Sequence, residues 1–115
     1  VSLDHVSSAL LARKGQPIVY TPKEGEAGSH DALVKDHGFG MPPSGWDSDF
    51  FEGQARYVEF RIPYGRLEAE PQYCDTVTFD GREFEVRAAK ATPETGPDKV
   101  WWVLYGVADQ RGTFR

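Results

Sequence analysis

Asp75–Val86 reads DTVTFDGREFEV, and the reading of these twelve residues decides the fold. Two short runs rich in β-branched and aromatic residues flank Asp80-Gly81. That dipeptide suits a two-residue type I′ turn, in which both central positions need positive φ. With this turn Phe79 faces Arg82, Thr78 faces Glu83 and Val77 faces Phe84. Val77, Phe79, Phe84 and Val86 then share one face, and Thr76, Thr78, Glu83 and Glu85 the other. A slip of one residue would turn the apolar set into water, so the pattern fixes the register.

Outward from the hairpin the same period of two recurs. RYVEFRIP alternates, with Val58, Phe60 and Ile62 on one face and Tyr57, Glu59 and Arg61 on the other, as a half-buried strand does. Pro63 and Gly65 close it, and GRLEAEP has the composition of a helical turn before Pro71. Downstream, the arm through Val86, Ala88 and Ala89 runs into the turn-rich TPETGPDK and then into VWWVLYGVA. That last run is apolar on both faces, which predicts either a central strand or one whose second face meets another subunit. DQRGTFR after it, about 109–115, reads as a mobile tail.

Upstream, IVYT (Ile18–Thr21) is a strand candidate, PKEGEAGSH a loop and DALVKD a further short strand. Leu3, Val6, Leu10 and Leu11 fall at helical spacing, with Ser2 as a cap and Gly15 as a stop. A helix over about 3–14 is expected there, in place of a secretory leader. His37–Gly53, HGFGMPPSGWDSDFFEG, has neither period and reads as a long mobile loop holding four aromatics, Phe39, Trp46, Phe50 and Phe51. Loops of this length in small domains are uncommon and are often functional. Its aromatics either cover the core or dock on a partner.

The chain has 115 residues, one domain's worth, with 39% hydrophobic and 27% charged residues. One convincing helix against about six strands predicts a mainly β fold, a small antiparallel sandwich or barrel with an N-terminal helix. A formal charge of −5 argues against a basic groove for nucleic acid, and sequence-specific DNA or RNA binding is not expected. No apolar run approaches the roughly 20 residues of a membrane span. Cys74 is the single cysteine, with no partner for an internal disulfide.

Catalytic and metal-binding patterns are weak. His30, Asp31, Asp36 and His37 fall within eight residues, but on a strand His30 and Asp36 would face one way and Asp31 and His37 the other. Asp47, Asp49 and Glu52 lack the central glycine and distal glutamate of an EF-hand loop. Cys74 has no neighbouring cation in sequence to activate a thiolate. GFG (Gly38–Gly40) is too short for a dinucleotide fingerprint, and no G-x-S-x-G elbow is present. No cofactor, metal site or catalytic residue is expected, and the chain reads as a non-enzyme.

The run DTVTFDGREFEVRAAKATPETGPDKVWWVLYG resembles the small head–tail joining, or head-completion, proteins of tailed bacteriophages, in particular the lambda-type joining family. The shared pattern is an Asp-Thr-hydrophobic strand, a glycine turn, an aromatic-x-Val strand, a Pro/Gly loop and a Trp-Leu-Gly strand. The resemblance implies a structural β-domain that assembles as a ring at the virion neck after release into the host cytoplasm. Its partners would be the portal or adaptor ring and the tail terminator protein. It places the contacts on the long loop, through Phe39, Trp46, Asp47, Asp49, Phe50 and Phe51, on Trp101 of the last strand, and on Arg111 and Phe114 of the tail. Trp46, Phe50 and Phe51 would be the anchors, as aromatics are in interface hot spots. One alternative is another tail-completion or assembly β-protein of a phage. The other is a small-ligand-binding or enzymatic barrel with loop 37–53 as a lid and His37, Trp46, Asp47 and Asp49 as its working residues.

Overall fold

The alternating runs become strands that close on themselves. The computed structural model describes residues 13–23, 25–46, 51, 53–67, 70–93 and 99–108. Six strands are present: β1 (Gln16–Thr21), β2 (Gly28–Gly40), β3 (Ala55–Pro63), β4 (Thr76–Phe79), β5 (Arg82–Thr92) and β6 (Trp101–Ala108). They form a closed antiparallel barrel in the order β1-β2-β3-β6-β5-β4, with β4 pairing back onto β1. Of the sandwich and the barrel, the barrel is what forms, and closure leaves no unpaired sheet edge.

The hairpin register is the one its turn demands: Phe79 opposes Arg82, Thr78 opposes Glu83 and Val77 opposes Phe84. Asp80 and Gly81 both have positive φ, 54° and 76°, as a type I′ turn requires. β6 lies between β3 and β5, with Leu104 and Ala108 in the interior and Trp101, Val103 and Val107 of the other face also buried.

Alternation sorts the side chains between the barrel's inside and its wall. Ile18, Tyr20, Ala32, Val58, Phe60, Ile62, Val77, Phe84, Val86, Leu104 and Ala108 fill the interior. Burying one such aliphatic or aromatic side chain is worth about 1.5–3 kcal/mol. Gly106 marks the closest approach of backbone to this core, because a Cβ there would stand 3.1 Å from both Phe60 Cε2 and Phe84 Cβ. A second, smaller cluster sits on the outer face, where Phe51, Ala55, Tyr57 and Val107 pack together with Trp46, Ala88 and Tyr105 against them.

Two expectations need correction. β2 is thirteen residues long and carries through His37–Gly40, so the loop opens after Gly40 and not at His37. A bulge between Asp36 and Phe39, with Gly38 at φ 76°, lets pairing resume as Phe39 with Arg56 and Gly40 with Ala55. Gly38, which looked like a loop residue, serves the bulge. The turn after β3 is a 3-10 turn at Tyr64–Arg66. No α-helix is an element among the described residues; the helix expected over 3–14 lies outside them except at Arg13 and Lys14, whose backbone is helical.

Connectivity assigns the loops to two ends. The β1–β2 turn and the β3–β4 connection share one end, and the β2–β3 loop and the Asp80-Gly81 turn share the other. Leu67, from the β3–β4 connection, packs against the interior and stoppers its end of the barrel.

Candidate functional site

The first end holds an open cleft of about 1020 Å³ between the β1–β2 turn and the β3–β4 connection. Its position follows from one residue. Asp75 precedes β4 and is 1% exposed, the only polar or charged residue buried in this way among the described residues. Its carboxylate accepts from the Tyr20 hydroxyl, from the Lys23 backbone N–H at 2.7 Å and from the Gln72 backbone N–H at 2.7 Å. One carboxylate therefore ties β1, the turn after it and the incoming connection to the start of β4. Three donors satisfy a buried charge, which would otherwise be expensive to hold away from water.

Local backbone geometry aims this side chain inward. Cys74 sits at φ 77°, a conformation few non-glycine residues adopt. The Cys74 N–H donates to Val86 O at 2.9 Å and the Val86 N–H donates to Asp75 O at 2.8 Å. The Cys74 thiol is partly buried and lies 3.6 Å from Glu85 Oε2. Burial and the Glu85 carboxylate push its pKa up, the opposite of what a nucleophilic thiolate needs.

Burial pushes the Tyr20 hydroxyl well above its ordinary pKa, with the hydrogen bond to Asp75 and that carboxylate's charge adding to the effect. Tyr20 is thus a fixed donor and not a base. His30, on β2, meets the Tyr20 ring edge to face with centroids 6.5 Å apart. Burial holds its pKa below the ordinary value, and the nearby Arg66 charge lowers it further, so the imidazole is neutral at pH 7. The hub at Asp75 is a positioning device for the two walls of the cleft.

Lys23, Glu26, Arg66 and Glu70 bring charges of both signs to that surface, and the Tyr73 ring, 57% exposed, stands with them. Of the lining, the Lys23 and Gln72 backbone N–H groups are tied to Asp75, and the Lys23 side chain is not part of that tie.

The residues singled out from the sequence lie elsewhere. Phe39 and Met41, where β2 gives way to its loop, are 52% and 65% exposed. Trp46 and Phe51 turn back onto the barrel wall. The Trp46 ring meets His37, Phe51, Tyr57 and Tyr105 edge to face at centroid distances of 5.5, 4.7, 5.6 and 4.9 Å. Phe51 is buried, and the Tyr57 hydroxyl donates to Gly53 O at 2.7 Å. Covering is therefore what these two aromatics do in this chain. Trp101 is buried at the start of β6. Asp47, Asp49, Phe50, Glu52, Arg111 and Phe114 fall outside the described residues.

Within the rest, the length of β2 keeps the histidine and aspartate candidates apart. His30 lies at the cleft and Asp36 at the opposite mouth, where Arg56 pairs with it. Among the described residues no group of three or more His, Cys, Asp or Glu converges to hold a metal ion. The cleft itself escaped the sequence, because its walls come from segments about fifty residues apart. The one available signal was an aspartate directly before a strand that begins with Thr-Val-Thr-Phe.

Comparison with known proteins adds no family. No protein-family model matches the chain, and a search of curated proteins returns no match.

Proposed function

We propose that this chain is a structural joining protein of the tailed-bacteriophage neck, a ring-forming component between the portal or adaptor and the tail. The reading rests on the resemblance of residues 75–106 to head–tail joining proteins. One structural observation supports it: Phe39, near the end of β2, and Met41, directly after it, are both exposed. Exposed large apolar side chains are what a protein contact buries; Tyr64 and Tyr73 are the other large ones exposed among the described residues. Phe39 and Met41, with the charged residues of the following loop, are the contact we assign. Trp46 and Phe51 hold the base of that loop to the barrel and present it.

The role asks for rigidity more than chemistry. A closed barrel holds its contact surfaces at fixed separation, and an acidic surface does not grip passing DNA.

Native mass spectrometry of the purified chain, alone and mixed with the products of the two flanking reading frames, tests the reading. Association with one of them in fixed stoichiometry is expected, with loss in a Phe39→Ser, Met41→Ser variant that keeps its thermal midpoint. A chain that ignores both neighbours would overturn it.

A further inference from the structure

We infer that the cleft between the β1–β2 turn and the β3–β4 connection is a docking groove for an extended peptide of mixed charge, supplied by a neighbouring component of the assembly. The inference rests on the joining role proposed above and assigns a second contact to it, at the barrel end away from Phe39 and Met41.

Three observations carry it. The first is charge. Lys23 and Glu26 on one wall and Arg66 and Glu70 on the other line one cleft, and the ion pairs among the described residues, Arg56–Asp36, Arg61–Glu59 and Arg87–Glu85, involve none of them. Among the described residues these two cations and two carboxylates form no ion pair. A simple anion would engage the cations and be repelled by the carboxylates, and a nucleic-acid strand would meet the same repulsion. A peptide with an acidic and a basic side chain a few residues apart can match both, which gives specificity and register.

The second observation is size. At about 1020 Å³ the cleft lies just above the roughly 300–1,000 Å³ range that small-molecule pockets occupy, which leaves room for a peptide segment. The third is stiffness. Asp75 fixes the Lys23 and Gln72 backbone on opposite walls, each at 2.7 Å, so little ordering is left for the moment of binding. Tyr73, exposed at the rim, supplies the flat aromatic area that interface anchors use. The neutral His30 adds a hydrogen-bonding group without adding a third cation beside Arg66.

The test uses overlapping synthetic peptides that tile the two flanking gene products, with binding read by fluorescence anisotropy. Wild type, Arg66→Glu, Glu70→Arg and the double swap are compared, after circular dichroism shows that all four keep the fold. One peptide should bind wild type, and each single reversal should weaken it by about tenfold or more. The double swap should prefer the same peptide with its charges exchanged. If a full-length neighbour still joins the chain while no peptide binds, or if the reversals leave peptide affinity unchanged, the groove assignment falls and the joining role stands. If neither peptides nor full-length neighbours bind, both fall. A thermal shift with a panel of nucleotides and amino acids, abolished by Arg66→Glu, would make the cleft a small-ligand site and overturn the peptide.

Discussion

The two ends of the barrel are each tied by an aspartate, and the two ties are of different kinds. At the cleft end the Asp75 carboxylate is buried and fully used by Tyr20, Lys23 and Gln72. At the other end Asp36 is a third exposed and meets the Arg56 guanidinium, with the Gly38 N–H donating to it at 2.8 Å. There the apolar work falls to Trp46 and Phe51, packed on the outer wall. The same side chain is a structural hub in one place and trim in the other, because water competes for one and not for the other.

The comparison breaks first at Asp75. Asp75→Ala leaves a tyrosine hydroxyl and two backbone N–H groups without their acceptor, and urea unfolding should show a loss of about 4 kcal/mol. A loss below about 1 kcal/mol would mean that water replaces the carboxylate and the hub is no hub. Tyr20 adds a pH signature. Its folded pKa lies above the unfolded value near 10, so its contribution is complete below that pH and is lost as pH rises through the folded value. Tyr20→Phe should therefore be less stable than wild type at pH 8, and the gap should narrow in unfolding measurements above pH 10.

Phe51 asks the same question of the other end. It is 3% exposed and touches Trp46, Tyr57 and Tyr105. Phe51→Ala should cost about 3 kcal/mol, as aromatic truncations in packed clusters do. Near-ultraviolet circular dichroism should lose part of its tryptophan signal at the same time. An unchanged thermal midpoint would mean that the outer cluster is dispensable and Phe51 is free to leave the wall for a partner.

Local chemistry was readable in the sequence wherever neighbours in the chain are neighbours in space. The hairpin register came from a turn dipeptide and a period of two, and β3 and β6 came from alternation and apolar content. β2 was seen in part, because Gly38 and Gly40 mimic a loop while Gly38 serves a bulge and Gly40 pairs with Ala55. Trp46 and Phe51 were recognised as needing cover, but nothing in a linear pattern says whether cover comes from the same chain. The cleft was invisible for a stronger reason: Tyr20 and Asp75 meet only because β1 pairs with β4 to close the barrel. Closure is a property of all six strands together and leaves no local mark.

Gly81 tests the hairpin on which the reading began. At φ 76° any residue with a Cβ is strained, and Gly81→Ala should cost about 1–2 kcal/mol. Its Cβ would meet no heavy atom within 4 Å, so the loss would report backbone strain alone. Gly81→Asn should recover part of it, since asparagine tolerates this region. Equal losses for Ala and Asn in thermal unfolding would argue for a different turn.

The smallest effect belongs to the aspartate of the exposed end. Asp36 is held below the usual carboxylate range chiefly by its hydrogen bond to Arg56, with the Gly38 N–H and the Arg56 and His37 charges assisting and partial burial opposing. A lowered folded pKa means that its contribution is present at neutral pH and fades as pH falls below about 4. Exposed pairs are worth about 0.2–1 kcal/mol and are screened by salt. Asp36→Ala should thus lower stability at pH 7 by less than about 1 kcal/mol, and high salt should erase most of the difference. The result that would sharpen the comparison is a large, salt-independent loss. It would show that Asp36 and Arg56 close their mouth of the barrel as firmly as Asp75 closes the other, and that exposure is a poor guide to which aspartate carries the fold.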